Sequence, residues 1–396
     1  MKKLLLATAA SALLAGAASA EEVKLGIVIG FTGPIESLTG HMANAAELAM
    51  SEVSASGKFL GGSTVVSVRA DSTCGDSAAG TAAAERVVTA DKVNGIVGGD
   101  CSGVTGAILQ NVARPNGIVM VSPSATSPAL STAEDDGLFF RTAPSDAREG
   151  EVMADILTEK GIKSIALTYT NHDYGKGLAD AIATSFQAKG GVVTINASHE
   201  DGKADYSAEV AALAAAGGDL LVVAGYLDQG GKGIIQNSLD TGAFTTFGLP
   251  GGMVGDNLPI AIGPALDGSY GQVAQSDSSG AATLIEMGKA AAVPFDATSP
   301  YTPESYDAAA VIMLAMQAAG SSDPRVYKDK VLEIANAPGE KIFPGELVKA
   351  LELIAAGTDI DYEGASAVEL IGPGESAGRY KQFEVKGGKY ETVTFR

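Results

Sequence analysis

Apolar and polar positions alternate between strand-like and helix-like patterns along most of the chain. Residues 23–29 form a β-branched apolar run, and residues 42–53 carry apolar side chains at helical spacing. Strand, helix, strand order is typical of a parallel sheet covered by helices on both faces. This first set also contains predicted strands at 65–68, 93–99 and 117–121 and predicted helices at 77–90 and 104–114.

The same rhythm starts again after a loop region at residues 124–146. Two sets of alternating elements predict two α/β domains, with a ligand cleft between the loops that follow their strands. The C-terminal third is less regular, although Gly387-Gly388 predicts a hairpin within residues 380–395. The remaining predicted strands are 164–169, 192–195, 220–224 and 245–249, and the remaining predicted helices are 147–160, 174–189, 206–216, 230–240, 304–319, 324–335 and 344–356.

Two hydroxyl-rich loops follow neighbouring strands of the first set, Gly99-Asp-Cys-Ser-Gly-Val-Thr105 and Ser122-Pro-Ser-Ala-Thr-Ser127. Ser102 lies where a helix begins, and a hydroxyl with free first-turn amides favours a bound carboxylate there. Ser102 could equally cap its own helix. Ser124 and Thr126 follow the next strand, so donors from two loops would converge on a small anion. The loops contain no nucleophile–base pair, which favours binding over catalysis.

Two strand ends in the second half also carry polar side chains. The segment Asn171-His-Asp-Tyr-Gly-Lys-Gly177 offers Tyr174, and Gly225-Tyr-Leu-Asp228 offers Tyr226 and Asp228. A tyrosine at such a turn can pack on a ligand, on the opposite domain or simply on the strand end. Each motif alone is therefore weak evidence for a site.

The N-terminus has the pattern of a secretory signal peptide at residues 1–20. Lys2 and Lys3 precede an apolar stretch at 4–15, and Ala18-Ser-Ala20 is a small-residue cleavage site. The apolar stretch is too short to span a membrane, and no later segment reaches the necessary ~20 residues. We therefore expect cleavage after Ala20 and a soluble, extracytoplasmic protein. The rest of the chain is long enough for two domains.

Charge and motif content narrow the possible functions. A formal net charge of -20 disfavours partners such as nucleic acid and anionic membrane. Gly26, Gly30 and Gly33 do not fit G-x-G-x-x-G, and neither a phosphate-binding loop nor a G-x-S-x-G elbow occurs. The three histidines are scattered and give no zinc-site pattern. We expect no cofactor, no metal and no enzymatic activity.

The chain has two cysteines, Cys74 and Cys101. In an oxidising compartment a disulfide is the expected state. It would close a loop of roughly 26 residues and contribute about 3 kcal/mol of stability. The alternative is a reactive Cys101 thiol, which would need a base that no histidine supplies nearby in sequence.

Several motifs together resemble the periplasmic binding proteins of the leucine/isoleucine/valine-binding type, which are type I solute-binding proteins of ABC importers. The resemblance covers essentially the whole mature chain. It implies two Rossmann-like lobes with parallel sheets joined by three hinge crossings, and a Cys74–Cys101 disulfide in the first lobe. The implied lobes are residues 21–142 plus 274–358, and 143–273 plus 359–396. The motifs are Gly30-Phe-Thr-Gly-Pro34, Cys-Ser-Gly103, Pro123-Ser-Ala-Thr126, Asp173-Tyr-Gly-Lys-Gly177 and Glu304-Ser-Tyr-Asp307.

The resemblance also implies roles for individual residues. Ser102 and Thr126 would hold a ligand α-carboxylate, with help from the backbone at Ser124. Tyr174 and Tyr226 would close over the ligand from the second lobe.

One position departs from the family's pattern. Amino-acid binders of this family usually carry an acid near the position of Gly251 to receive the α-ammonium group. Here the sequence reads Leu249-Pro-Gly-Gly-Met253. Either Asp228 or Glu36 supplies the negative charge, or the ligand is a carboxylate without an amine, because an unpaired buried ammonium is costly.

The function that the resemblance implies is a non-enzymatic receptor that delivers a branched-chain amino acid or similar small carboxylate to the membrane permease of an ABC importer. Receptors of this kind are generally monomers. The alternative is a ligand-sensing receptor for amides or amine-free carboxylates that signals to a partner protein.

Overall fold

Two seven-stranded sheets divide the chain into two lobes. The computed structural model describes residues 20–396, so the predicted signal peptide lies outside the described residues except for Ala20. The first lobe begins with β1 Glu22–Ile29, α1 Glu36–Ala55, β2 Thr64–Asp71, α2 Ser77–Thr89, β3 Gly95–Gly98, α3 Ser102–Ile108, a π-helical turn Leu109–Ala113, α4 Arg114–Asn116, β4 Met120–Ser122 and β5 Phe139–Pro144.

The second lobe follows without a break. It consists of α5 Asp146–Glu159, β6 Ser164–Thr170, α6 Asp173–Ala188, β7 Val192–His199, α7 Ser207–Ala216, β8 Leu220–Ala224, α8 Gly230–Thr241, β9 Phe247–Leu249, α9 Asn257–Ile262 and β10 Tyr270–Ala274.

The chain then returns to the first lobe before it ends in the second. The returning segment contains α10 Ser279–Ala290, α11 Thr302–Ala319, α12 Pro324–Tyr327, α13 Val331–Ile334, β11 Glu340–Ile342, α14 Leu347–Ala355, β12 Ile360–Tyr362, β13 Leu370–Ile371 and β14 Glu375–Ser376. The terminal hairpin is β15 Tyr380–Lys386 and β16 Lys389–Phe395.

Both sheets are parallel over their central strands. Their strand orders are β13-β14-β5-β4-β3-β1-β2 and β16-β15-β10-β9-β8-β6-β7. Within residues 20–396, antiparallel pairs occur only at one edge of each sheet, at β13–β14 and at β10–β15–β16. This confirms the expected α/β class with two lobes of mainly parallel strands. The hairpin around Gly387-Gly388 is also present, with both glycines at positive φ.

The chain crosses between the lobes three times, between Pro144 and Asp146, between Ala274 and Ser279, and between Ser376 and Tyr380. The first two crossings lie within a few residues of the expected positions. The third lies later in the chain than the family resemblance implies, since the resemblance places residues 359–396 in the second lobe. In the structure β14 pairs in parallel with β5, so this part of the chain up to Ser376 belongs to the first sheet.

Helix α11 forms the centre of the first lobe's core. Every residue from Thr302 to Met316 is buried, and the helix packs against α1 and the strands β3, β4 and β5. From Ala308 to Met316 the helix is apolar on all sides, and such a helix is stable only when it is covered on all sides. Within residues 20–396, no helix combines the length and the apolar character needed to cross a bilayer.

Strand β5 is the main element that the sequence pattern missed. It lies inside the predicted loop region 124–146, although all six of its residues are buried. Its sequence, Phe-Phe-Arg-Thr-Ala-Pro, contains an arginine and ends in a proline, both of which disfavour a central strand. The predicted helix at 324–335 is also interrupted, by a short 3₁₀ turn between α12 and α13.

The expected disulfide joins Cys74 and Cys101. It links the loop after β2 to the loop after β3, at the edge of the sheet where ligands bind in α/β folds. Both cysteines are buried. The prediction of a disulfide is confirmed, and the alternative of a reactive Cys101 thiol is wrong.

Candidate functional site

The loops at the carboxyl ends of the two sheets face each other and enclose a small cavity of about 20 Å³. A volume of this size holds about one water molecule. A molecule much larger than water therefore does not fit in the cavity in this conformation. The lining residues are Ile35, Leu38, Asp100, Cys101, Ser102, Ser124 and Tyr301 from the first lobe, and Tyr174, Tyr226 and Gly252 from the second.

Ser102 connects the two hydroxyl-rich loops. It is the first residue of α3, and its Oγ accepts a hydrogen bond from Ser127 N at 3.1 Å. Ser124 Oγ donates to Asp100 O at 3.1 Å and thereby joins the same two loops. The Ser102 oxygen thus caps the neighbouring loop and not its own helix. Since a hydroxyl also carries one donor, Ser102 keeps its proton for an acceptor in the cavity.

Thr126 has a buried hydroxyl that finds no hydrogen-bond partner among residues 20–396. Its backbone is held on both sides, because Arg141 Nη1 donates to Ala125 O and Ser127 O, both at 2.9 Å. Asp146 N donates to Thr126 O at 2.8 Å. Leaving a buried hydroxyl unpaired costs about 1–3 kcal/mol, so a rigid loop with such a group is suited to a polar ligand.

Sequence reasoning missed Arg141, although it shapes the second loop. Its side chain is 1% exposed and binds Glu375 at 2.5 Å and Ser131 Oγ at 2.7 Å. The available clue was a lone charged residue inside an apolar run, which implies a buried and fully bonded guanidinium.

Three tyrosines line the cavity: Tyr174 and Tyr226 from the second lobe, and Tyr301 from the first. Tyr174 and Tyr226 stack with ring centroids 5.0 Å apart and an interplanar angle of 19°. Tyr301, from the first lobe, was not predicted from the sequence. Burial raises the pKa of all three hydroxyls well above the usual range, so each keeps its proton and can act as a donor.

Gly251 and Gly252 allow these rings to approach the backbone. A Cβ on Gly252 would lie 2.5 Å from the Tyr174 hydroxyl oxygen, which in fact accepts a hydrogen bond from Gly252 N at 3.0 Å. A Cβ on Gly251 would lie 2.7 Å from the Tyr301 hydroxyl oxygen. Neither position has room for a side chain in this conformation, so Gly251 cannot be replaced here by the acid that the sequence lacks.

Glu149 occupies the space beside Gly251. Gly251 N donates to Glu149 Oε1 at 2.7 Å, and Gln272 Nε2 donates to the same oxygen at 3.2 Å. Burial raises the Glu149 pKa to about 6. Asp146 lies one helical turn earlier on α5, and burial together with the Glu149 charge raises its pKa well above the usual range. The sequence analysis did not single out either residue.

Asp228 and Glu36 do not reach the cavity. Asp228 Oδ2 accepts from Ser37 N at 3.0 Å, and Asp228 Oδ1 accepts from Asn257 Nδ2 at 2.7 Å. Glu36 Oε2 accepts from Gly33 N at 3.2 Å on an exposed surface. The geometry therefore does not support either carboxylate as the substitute for an acid at position 251. By contrast, one cavity is lined by four of the residues predicted from the sequence: Ser102, Ser124, Tyr174 and Tyr226.

Asp228 instead caps α1 from the other lobe. The N-cap residue of helix α1 makes no side-chain cap hydrogen bond, and the hydrogen bond from Ser37 N to Asp228 joins the two lobes, so separating the lobes would break it. Because an N-cap is worth about 1 kcal/mol, we expect Asp228→Ala to weaken ligand affinity about 5-fold. Small-angle X-ray scattering should also show a larger radius of gyration. Equal affinity and scattering in Asp228→Ala and in the exposed control Asp240→Ala would contradict this role.

A larger groove of about 710 Å³ lies between the lobes on the other side of Leu38. It is lined by parts of α1, residues 254–260, residues 296–300 and the terminal hairpin. A Cβ on Gly255 would lie 3.1 Å from Leu38 Cδ2, so Gly255 packs closely against Leu38, which lines both the groove and the cavity.

The described residues offer no arrangement suited to a metal. Within residues 20–396, no group of three or more histidine, cysteine or acidic side chains could hold an ion. The chemistry of the cavity is that of hydroxyl donors, aromatic rings and buried carboxyl groups. Such a set can bind a small polar molecule without changing it.

Comparison with known proteins agrees with this geometry. The chain is 30% identical over 335 residues to "Leu/Ile/Val-binding protein homolog 3" of Brucella melitensis, covering 83% of this chain and 88% of that one. It is 28% identical over 285 residues to the chemotactic signal transduction system substrate-binding protein BasB of Halobacterium salinarum, covering 68% and 64%. An ABC transporter solute-binding protein of R. palustris, crystallised with 4-hydroxybenzoate, superposes with a TM-score of 0.76 at 17% identity, covering 95% and 97%.

A family model described as "Periplasmic binding protein" matches residues 22–334. This range covers most of both lobes. The two-lobe architecture, the interlobe cavity and this match lead to one conclusion: the chain belongs to the periplasmic binding protein family.

Proposed function

We propose that this protein is the extracytoplasmic solute-binding receptor of an ABC importer and that it binds a branched-chain amino acid or similar small carboxylate. The main support for this proposal is that hydroxyl groups and aromatic rings line the same cavity. Hydroxyls of the first lobe face stacked tyrosine rings of the second. A ligand bound there touches both lobes at once.

In the proposed site the ligand carboxylate accepts hydrogen bonds from Ser102 and Thr126. The stacked rings of Tyr174 and Tyr226 cover the apolar part of the ligand. The Ser124 hydroxyl serves the loop itself, through Asp100 O, and Ser124 N lies 3.3 Å from Ser122 Oγ. Ser124 therefore positions the loop.

Binding is coupled to closure of the lobes. The cavity is too small to be entered as it stands, so the open state admits the ligand and the closed state surrounds it. Contacts from both lobes exist only in the closed state, so the ligand shifts the population toward closure. A permease can read that shape change as a signal that cargo is present.

Three observations support the compartment and the partner. The predicted signal peptide and the Cys74–Cys101 disulfide favour a location outside the cytoplasm. The names of the Brucella melitensis and R. palustris proteins favour solute capture for an ABC transporter and a ligand with a carboxylate.

A second candidate function is ligand sensing. The likeness to BasB, a substrate-binding protein of a chemotactic system, favours it. The binding site would be the same, and only the partner would differ. Deleting the gene distinguishes the two, because a transport receptor is needed for uptake of radiolabelled ligand and a sensor is needed for chemotaxis toward it.

The proposal predicts that leucine, isoleucine, valine or their 2-oxo acids stabilise the purified protein. At a ligand concentration 100 times the Kd, the gain is about 2.7 kcal/mol, which for a chain of this length raises Tm by about 3 °C. Thermal shift measures this, with glycerol and arginine as non-matching controls. Absence of any shift across the panel, or consumption of the ligand, would contradict the proposal.

A further inference from the structure

We propose that Asp146 and Glu149 form the subsite for a ligand ammonium group, so that the ligand is a zwitterionic α-amino acid and not an amine-free carboxylate. This inference rests on the proposed function. It adds the chemical class of the ligand and names residues that no sequence motif indicated. We call Asp146 and Glu149 the carboxyl pair.

Among residues 20–396, no cationic side chain forms a salt bridge with the carboxyl pair, although Arg141, which is bridged to Glu375, lies near enough to favour the charged form of Asp146. Asp146 is fully buried, and neither of its carboxyl oxygens has a hydrogen bond of normal geometry among residues 20–396, with the Thr126 hydroxyl and the Glu149 carboxyl as its polar neighbours. Glu149 is 1% exposed, and within the described part of the chain its carboxyl group accepts from the neutral donors Gly251 N and Gln272 Nε2 and lies beside Asp146. Arg141 directs its guanidinium to two carbonyls of the second loop, to Ser131 and to Glu375. Buried carboxylates are costly unless a cation pairs with them, so the pair is suited to a cation from outside.

The carboxyl pair lies directly behind the cavity wall. A Cβ on Gly251 would lie 2.7 Å from the Tyr301 hydroxyl oxygen and 3.4 Å from Glu149 Oε1. Tyr301 lines the cavity, and so does Gly252, the residue after Gly251. The Glu149 carboxyl thus occupies the space into which an acidic side chain at position 251 would project. The acid that this strand end lacks is supplied by another element of the same lobe.

The pair is also adjacent to the proposed carboxylate site. Asp146 N donates to Thr126 O at 2.8 Å, so the first turn of α5 adjoins the second hydroxyl-rich loop. In an α-amino acid the carboxylate and the ammonium are attached to the same carbon. Neighbouring subsites, one with hydroxyl donors and one with carboxyl acceptors, match that arrangement.

The charge around the cavity favours a zwitterion over an anion. Of the ten residues that line the cavity, none is lysine, arginine or histidine, and one is the buried Asp100. Together with the carboxyl pair, this makes three buried acidic groups close to the ligand. An amine-free carboxylate would add a further acidic group beside these three, whereas an α-amino acid brings a positive charge that stabilises the ionised form of the carboxyl pair.

The test compares each branched-chain amino acid with its own 2-oxo acid. By isothermal titration calorimetry, the wild-type protein should bind leucine at least 30-fold more tightly than 4-methyl-2-oxopentanoate. The double variant Asp146→Asn, Glu149→Gln keeps an acceptor for Gly251 N but removes both charges. It should lose most of that preference, chiefly by binding leucine more weakly. Glu151→Gln, an exposed position on the same helix, should behave as wild type.

Two outcomes would overturn the inference. One is a wild-type protein that binds the 2-oxo acids as tightly as the amino acids, which leaves the receptor function standing and removes the ammonium subsite. The other is a double variant that keeps the wild-type preference, which would make the carboxyl pair a structural feature that shares a proton. The wild-type comparison decides the ligand class even where the variant folds poorly. If no carboxylate of either class binds, the proposed function itself fails.

Discussion

Replacing Ser102 and Thr126 together by alanine should weaken binding of every carboxylate ligand about 1,000-fold. Each hydroxyl is expected to donate to a ligand carboxylate, and a hydrogen bond to a charged group is worth about 1.5–3 kcal/mol. Two such bonds therefore give about 3–6 kcal/mol. Thr126 is the more informative residue of the two, because its buried hydroxyl has no partner within the described part of the chain. Calorimetry with the ligand identified by thermal shift measures the loss.

The matching control removes two hydroxyls elsewhere in the same lobe. Thr81 and Thr89 lie on α2 and donate to carbonyls of their own helix, so Thr81→Ala with Thr89→Ala should leave the affinity unchanged. Since Ser102 Oγ also accepts from Ser127 N, the double site variant needs a check of its near-UV circular dichroism. A folded Ser102→Ala, Thr126→Ala protein with wild-type affinity would refute the carboxylate site.

Removing the disulfide should lower the free energy of unfolding by about 3 kcal/mol. The bond spans a sequence separation of 27 residues, and its main effect is to restrict the unfolded chain. Urea denaturation of the oxidised protein and of the Cys74→Ser, Cys101→Ser variant measures the difference. Dithiothreitol should destabilise the wild type and have no effect on the variant, which separates the bond from the side-chain change.

The same variant should also bind ligand more weakly. Cys101 lines the cavity and directly precedes Ser102, so the disulfide fixes the loop that presents the Ser102 hydroxyl. A variant that loses stability but keeps full affinity would show that the loop is held sufficiently by its hydrogen bonds to the second loop. Equal unfolding free energies for the two proteins would contradict the stabilising role altogether.

Periodic features of the sequence predicted most of the fold. Apolar runs and helical spacing located most of the strands and helices of both lobes, because each buries one face against a sheet. The family resemblance places the third crossing before β13 and β14, and these strands contain two residues each, too few to carry a pattern that would place them in the first sheet. Strand β5 was missed because Arg141 interrupts an otherwise apolar run, and its partners are loop carbonyls that only the folded chain provides.

Only part of the site was predicted, because the sequence shows which residues follow each strand but not which distant residues pack beside them. Hydroxyls and tyrosines at strand ends could be read from the sequence, since the carboxyl ends of parallel strands meet at one edge. The role of Glu149 could not be predicted from the sequence, because Glu149 is 102 residues away from Gly251 in the chain. Acidic residues in the first turn of a helix usually interact with the helix dipole at the surface, so nothing in the pattern of α5 indicated burial.

The three crossings have a consequence for how the protein is made. When a ribosome has synthesised the strands β1 to β5 and the whole of β6 to β10, neither lobe is complete. The first lobe still lacks α11, whose buried residues fill its centre, and the second lacks β15, which covers the edge of β10. A nascent chain therefore exposes an apolar face until α11 has emerged and an open sheet edge until β15 has emerged, so neither lobe can complete its fold before these later elements are made.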